Sequence, residues 1–169
     1  MLEISDAYLV TIDFTLRRFV KTMIRNSWYT SVDEDVTQAH FPVIGHGKVG
    51  QRLFLASQEQ STSSDEMIAK LDQQDLRPAN TAELLTFVKQ RPERRYLEET
   101  KDEIVALGAI WTIAPGARRV LAVSGCITGR KMHLYETYFK MPERFRSPML
   151  PIGSDWYGGT FFLAAPKDS

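Results

Sequence analysis

The chain has 169 residues and a mass of 19.3 kDa, and its 21 Lys and Arg balance 21 Asp and Glu. Apolar residues make up 43% of it, which is ordinary for a globular protein and excludes an intrinsically disordered chain. The single cysteine excludes a disulfide scaffold, and zero net charge argues against a nucleic-acid-binding protein. The length suits one domain, which we place over residues 1–169.

A first strand and a first helix are predicted near the beginning of the chain. Residues 7–12 are β-branched and apolar enough for a strand. Asp13 is then predicted to cap a helix, because apolar side chains recur at helical spacing from Leu16 to Ile24. Residues 27–48 contain an acidic run, a proline and two glycines, and are predicted to be irregular.

Two capping boxes predict two further short helices after a strand over residues 49–56. In such a box the side chain that precedes the helix and a glutamate three residues later each bind the other residue's backbone N–H. Ser63 with Glu66 has this spacing, and Asn80 with Glu83 repeats it. Each pair is followed by apolar residues at helical intervals, so each marks the beginning of a helix.

The second half of the chain is predicted to be a run of strands. Residues 104–113, 119–124, 131–138 and 160–165 have strand composition and are separated by turns too short for crossover helices. The order therefore favours an α+β fold, with a mostly antiparallel sheet and two or three short helices in the N-terminal half. Residues 136–159 are rich in proline and glycine and are predicted to be a long surface loop or insert.

One glycine pattern has the letters of a nucleotide-binding motif but the wrong surroundings. Gly45, Gly47 and Gly50 match the dinucleotide fingerprint, which needs a strand before it and a helix after it. Here Pro42 precedes the glycines and a strand-like run follows them. A hairpin or bulge that uses glycine's backbone freedom is the better interpretation, and we predict no cofactor.

The sequence also lacks the spacing of a catalytic or metal site. His40, His46 and His133 are the only histidines, and no two lie three or four residues apart. We therefore expect no catalytic residue, no metal and no enzyme activity. An enzyme assembled from dispersed residues, with Cys126, His133 or His40 as candidates, stays open as an alternative.

An aromatic and basic cluster in the C-terminal half is the most suggestive feature for function. Tyr, Trp and Arg on loops are typical of binding surfaces. The residues predicted to bind a ligand or partner are Tyr135, Tyr138, Arg144, Arg146, Trp156 and Tyr157. We expect the tyrosine and tryptophan side chains among them to be exposed; in the alternative, they hold the long loop against the sheet.

Several phrases resemble a family of small uncharacterised proteins from candidate-phylum bacteria. They are Val-Thr-Ile-Asp (10–13), Thr-x-x-His-Phe-Pro-Val (37–43), Gly-x-Gly-x-Val (45–49), Leu-Arg-Pro-Ala (76–79), Glu-Leu-Leu-x-Phe (83–87), Ile-Val-Ala-Leu-Gly-x-x-Trp (104–111) and Phe-Leu-Ala (162–164). The chain departs from that family by a longer insert over roughly residues 136–155 and by its Ala-Pro-Lys-Asp-Ser ending. The resemblance implies no known activity and no catalytic residue.

A second resemblance concerns the layout of the chain. The phrase Leu-Arg-Pro-Ala-Asn-Thr-Ala-Glu-Leu (76–84), the later glycine-spaced strands and the closing Phe-Leu strand are similar to C-type-lectin-like domains. Pro78 and Glu83 match loosely, and the tryptophan that follows the glutamate in those domains is missing. The resemblance implies a ligand surface on the late loops and terminal strands.

These features favour a non-enzymatic binding or interaction module. The expected partner is a protein or another macromolecule, including a second copy of the chain; a membrane is not expected and nucleic acid is not favoured. The opening Met-Leu-Glu-Ile-Ser-Asp lacks the basic and apolar regions of a signal peptide, so a cytoplasmic location is predicted. The alternative function is a structural subunit of a larger assembly, such as a component of a phage particle.

Overall fold

A computed structural model describes residues 1–25, 27, 29–90, 103–115, 117–126, 129–138, 156–158 and 160–167. For residues 126, 129 and 136–138 it describes the backbone alone. Of the predicted insert, residues 136–138 continue a strand, and residues 139–155 and 159 lie outside the described residues.

Strands dominate the fold. The described residues form β1 (Leu2–Ile4), β2 (Tyr8–Asp13), α1 (Phe19–Arg25), β3 (Tyr29–Val32), β4 (Lys48–Gln58), α2 (Ser64–Asp72), β5 (Leu76–Pro78), α3 (Thr81–Gln90), β6 (Glu103–Ala114), β7 (Ala117–Cys126), β8 (Gly129–Tyr138) and β9 (Phe161–Pro166). The predicted α+β class is confirmed, as is the presence of three short helices in the N-terminal half. None of these described helices, the longest having ten residues, is long and apolar enough to cross a membrane.

One mostly antiparallel sheet joins the strands. Its order is β1-β4-β9-β6-β7-β8-β3, with β2 also paired to β4 and β5 to β9. Only β6 with β9 and β3 with β8 are parallel among the described pairs. The strands β6, β7 and β8 are neighbours both in the sheet and along the chain. The strands β4, β9 and β6 are neighbours in the sheet but lie far apart along the chain.

The sheet is covered on both faces. Successive residues of a strand point to opposite faces, and the central strands divide their apolar residues accordingly. In β6, Ile104 and Ala106 pack in one apolar cluster with side chains of α1 and α3. Val105 and Leu107 pack in the other cluster with side chains of α2. We call these two sides of the sheet the α1/α3 face and the α2 face.

Both predicted capping boxes are confirmed. Ser63 Oγ accepts a hydrogen bond from the Glu66 N–H at 3.2 Å, and Glu66 Oε2 accepts one from the Ser63 N–H at 3.1 Å. Asn80 Oδ1 accepts from the Glu83 N–H at 3.0 Å, and Glu83 Oε2 accepts from the Asn80 N–H at 2.8 Å. The helices α2 and α3 thus begin where the sequence places them.

The first helix begins later than the sequence indicates. Asp13 ends β2, and its Oδ1 accepts a hydrogen bond from the Thr15 N–H at 3.1 Å, which forms a turn rather than a helix cap. Arg18 has a φ of 54°, which is incompatible with helix and delays α1 to Phe19. The segment predicted to be irregular also contains β3.

A strand follows the glycines of the nucleotide-binding pattern, as predicted, but they form neither a hairpin nor a bulge, because Gly47 lies at a bend before β4 and Gly50 lies within β4. Gly47 has a φ of 68°, a conformation that glycine adopts without cost, and its carbonyl accepts the Phe14 N–H at 2.8 Å. The strand β4 then begins at Lys48. Because no helix follows the glycines, they lack the helix N-terminus that would hold a pyrophosphate.

Candidate functional site

Three of the six residues predicted to bind a partner have described side chains. Arg144 and Arg146 lie outside the described residues, and Tyr138 is described only as backbone at the end of β8. Tyr135, Trp156 and Tyr157 are described in full, and all three belong to the α2 face or its rim.

Trp156 is buried, so the expectation that it would be exposed is wrong. Its side chain is 5% exposed and packs edge-on against Phe162 and Tyr135, with ring centroids 5.7 and 5.3 Å away. The indole N–H donates to Ser64 Oγ at 2.9 Å. Among the described helices α2 is the one that packs on this face, and Trp156 packs in the same cluster while its one polar atom stays paired.

Tyr157, in contrast, is 84% exposed, as expected. Its backbone is held on both sides. Trp156 forms an antiparallel bridge with Thr62, with N–H to O distances of 2.8 and 3.0 Å. Gly158 lies so close to the Glu59 carbonyl oxygen that a Cβ there would collide with it. We call this arrangement of Thr62, Trp156, Tyr157 and Gly158 the Tyr157 platform, because a fixed backbone presents an exposed ring.

A polar cluster ends the row of aromatic side chains on the α2 face. Glu103 Oε1 accepts hydrogen bonds from His133 Nε2, at 2.7 Å, and from the Tyr135 hydroxyl. The His133 and Tyr135 rings meet edge-on at 5.0 Å, and Tyr135 in turn meets Trp156. Burial, followed by the hydrogen bond to Glu103, raises the pKa of the Tyr135 hydroxyl, which therefore stays a donor at neutral pH.

Glu103 was not predicted to belong to this cluster. It begins β6, 30 residues before His133 along the chain, and reaches it across the intervening strand β7. Residues two apart on a strand share a face, so His133 and Tyr135 could be predicted to lie side by side. Their shared acceptor could not be identified, because it lies on another strand. Chemically, the cluster orients an imidazole and a phenol around one carboxylate.

His40, the other histidine considered for catalysis, lies in a separate surface cluster. Its ring stacks on Trp111 with a centroid distance of 3.7 Å and an angle of 6° between the planes. His40 Nδ1 contacts the Asp35 carbonyl oxygen at 2.9 Å, and Asp35 is paired with Arg119 at 2.7 Å. These contacts hold the segment before β4 against the β6–β7 hairpin.

Two further observations bear on the identity of the site. Within the described ranges, no three His, Cys, Asp or Glu side chains are grouped so as to hold a metal ion. Comparison of the chain with protein-family models, curated proteins and solved structures finds no match.

Proposed function

We propose that the protein is a non-enzymatic binding module that recognises a protein or another macromolecule through a surface centred on Tyr157. The observation that supports this is the Tyr157 platform, in which a ring that is 84% exposed projects from a backbone held by Thr62 and Glu59. Tyrosines are enriched among the residues that dominate binding energy. An anchor that is already positioned loses little conformational freedom when a partner binds.

The neighbouring polar groups support binding rather than catalysis. The Trp156 indole N–H is taken by Ser64, and Glu103 is taken by His133 and Tyr135. These bonds fix the aromatic row that ends at Trp156, and the next residue, Tyr157, is the exposed ring. The proposal extends the surface to Tyr138, Arg144 and Arg146. A C-type-lectin-like layout stays a prediction, and it implies a ligand surface on the late loops, to which Tyr157 belongs.

The alternative, a structural subunit of a larger assembly, is favoured by a different observation. Leu9 on β2 is 67% exposed and Ile4 on β1 is 37% exposed, and both strands lie at one edge of the sheet. Exposed apolar residues on edge strands promote pairing between copies of a chain. The partner would then be the protein itself.

The experiment that tests the proposal is site-specific photo-crosslinking in the cells that naturally produce the protein. A photoreactive phenylalanine analogue replaces Tyr157 in one variant and Ile44 in a control variant. Ile44 is 88% exposed and apolar, but it lies in the segment that precedes β4. We expect an adduct of one discrete mass from the variant at 157 and none from the control.

Three other outcomes have definite meanings. Equal labelling at both places, or no adduct at 157, contradicts a binding surface at Tyr157. An adduct of twice the chain mass supports the structural-subunit alternative instead.

A further inference from the structure

A pocket of about 290 Å³ opens on the other side of the sheet from Tyr157. Residues from the β2 end, the turn before α1, α1 itself, the start of β4 and α3 line it, among them Asp13, Leu16, Met23, Lys48, Thr86 and Lys89. Met23 belongs to the apolar cluster of the α1/α3 face, whereas Trp156 belongs to that of the α2 face. A ligand in this pocket would therefore be independent of a partner at Tyr157.

The pocket has an excess of positive charge. Two ammonium groups, those of Lys48 and Lys89, face one carboxylate, that of Asp13. Asp13 also accepts hydrogen bonds from the hydroxyl and N–H of Thr15, which lower its pKa and keep it ionised. Its other oxygen lies 3.6 Å from Lys48 Nζ. Asp13 is thus already engaged with Thr15 and Lys48.

Lys89 is the lysine left without a strong acceptor among the described residues. The contact that its ammonium makes there is with the Met23 thioether sulfur, at 4.0 Å. A thioether sulfur is a weak hydrogen-bond acceptor. An anionic oxygen would therefore form a stronger hydrogen bond with the Lys89 ammonium than the sulfur does. A negatively charged group between Lys89 and Lys48 would provide one.

One residue that lines the pocket, Thr86, has a buried polar group that no described residue satisfies. Thr86 is 1% exposed, and its hydroxyl has no hydrogen-bond partner within the described part of the chain. Thr86, Lys89 and Gln90 lie on one side of α3, because they are three and four residues apart. Threonine in a helix has two accessible side-chain rotamers, so its hydroxyl can turn toward a bound oxygen.

The walls are fixed and partly apolar. Gln90 is held by two hydrogen bonds to the Thr11 backbone, from the Thr11 N–H at 2.9 Å and to the Thr11 carbonyl at 2.6 Å. Leu16 and Met23 supply the apolar lining. Pockets for small molecules are typically at least about 300 Å³, so a volume of about 290 Å³ suits a ligand of a few non-hydrogen atoms.

We propose that this pocket binds a small organic anion. The carboxylate or phosphate head lies between Lys48 and Lys89, and a short apolar chain rests on Leu16 and Met23. The inference goes beyond the proposed function and does not depend on it.

The test uses four small probes that share a butyl or propyl body: butyrate, butyl phosphate, butylammonium and 1-butanol. The protein is labelled with ¹³C at its methionine methyl groups and observed by NMR. Met23 lines the pocket, whereas Met67 is buried on the α2 face and serves as the internal control. We expect butyrate or butyl phosphate to shift the Met23 signal saturably and to leave Met67 unchanged. Whichever of the two binds more tightly identifies the head group.

Lysine variants supply the second readout. Lys89→Met and Lys48→Met keep the apolar stem, and each is expected to raise the Kd of the better anion about tenfold, as for a lost charge-assisted hydrogen bond. Lys131→Met removes an exposed lysine from β8 and is the matched control. Lys48 and Lys89 are exposed, so the melting temperature should stay unchanged in all three. Equal shifts from 1-butanol or butylammonium, no shift from either anion, or an unchanged Kd in both pocket variants would overturn the proposal.

Discussion

Glu83 is the residue on which the beginning of α3 depends most. Its carboxylate, in a residue that is 2% exposed, accepts hydrogen bonds from Arg77 at 2.9 and 2.7 Å and from the Asn80 N–H at 2.8 Å. A buried charge is stable only when it is paired and fully hydrogen-bonded, and this one is. The hydrogen bond to Glu83 also raises the pKa of Arg77, which keeps the guanidinium charged.

Glu83→Gln should therefore destabilise the protein strongly. The amide keeps the shape but leaves the partly buried Arg77 guanidinium without its counter-charge, and we expect a loss of about 3 kcal/mol in the free energy of unfolding. Urea denaturation measures it. Glu3→Gln, on the exposed surface of β1, is the control and should change the same quantity by less than about 0.5 kcal/mol. A loss below about 1 kcal/mol in Glu83→Gln would show that the pair contributes little.

At Tyr29 we expect a substitution to stabilise the protein. Its hydroxyl is buried with no hydrogen-bond partner among the described residues, and burial raises its pKa. An unsatisfied buried hydroxyl costs about 1–3 kcal/mol, so Tyr29→Phe should raise the free energy of unfolding by about 1 kcal/mol. Thermal and urea unfolding measure the gain. Tyr157→Phe removes a hydroxyl from an exposed ring and should leave stability unchanged; a loss of stability in Tyr29→Phe would mean that its hydroxyl is satisfied.

At the scale of elements, the capping box of α2 makes stability depend on pH. Hydrogen bonds from the Ser63 N–H and the Thr62 hydroxyl lower the pKa of Glu66 below its ordinary value of 4.5. A carboxylate with a lowered pKa in the folded state stabilises the fold above its ordinary pKa. That contribution is lost as the pH falls through the folded-state value.

Glu66→Gln tests this dependence. The glutamine cannot ionise, so the variant should melt below the wild type at pH 7, and the difference should close as the pH is lowered toward 3. Melting curves followed by circular dichroism across that range give the answer. Glu59→Gln, an exposed substitution outside the box, is the control and should melt with the wild type at pH 7. A difference that is the same at all pH values would mean that Glu66 acts through packing alone.

An element could be predicted from the sequence when the residues that determine it lie close together along the chain. Ser63 with Glu66 and Asn80 with Glu83 lie three residues apart, so both capping boxes were visible in the sequence. The strand β3 was not predicted, because its partner β8 lies about 100 residues later and supplies the pairing that its short sequence does not demand. The late start of α1 depends on the positive φ of Arg18, which local periodicity does not reveal.

In the candidate site, too, some features could be predicted from the sequence and others depend on distant residues. The aromatic composition of the C-terminal half pointed to Tyr157, whose exposure the structure bears out. It pointed equally to Trp156, whose burial is decided by Thr62 and Ser64, more than 90 residues earlier. A tryptophan at the rim of a sheet has the composition of a binding residue and the size of a core residue, and only the tertiary partners distinguish the two.

At the scale of the whole molecule, a side chain from α3 binds the backbone of β2, which lies at one edge of the described sheet. Among the described strands β2 pairs with β4 alone, on one of its two sides. The Gln90 amide occupies the other side at Thr11, with hydrogen bonds of 2.9 and 2.6 Å to the N–H and the carbonyl. At Thr11 this side chain forms the two backbone hydrogen bonds that a neighbouring strand would otherwise form.

We therefore expect the wild-type chain to be a monomer of 19.3 kDa in solution and Gln90→Ala to associate with itself as its concentration rises. Light scattering after size exclusion, over a wide concentration range, measures both masses. Gln74→Ala removes an exposed amide after α2 and should stay monomeric. A monomeric Gln90→Ala would show that the amide does not guard the edge. A wild type that assembles would favour the structural-subunit alternative over the binding module, since the chain would then be its own partner. If Gln90→Ala made that assembly stronger, β2 would be the contact between copies.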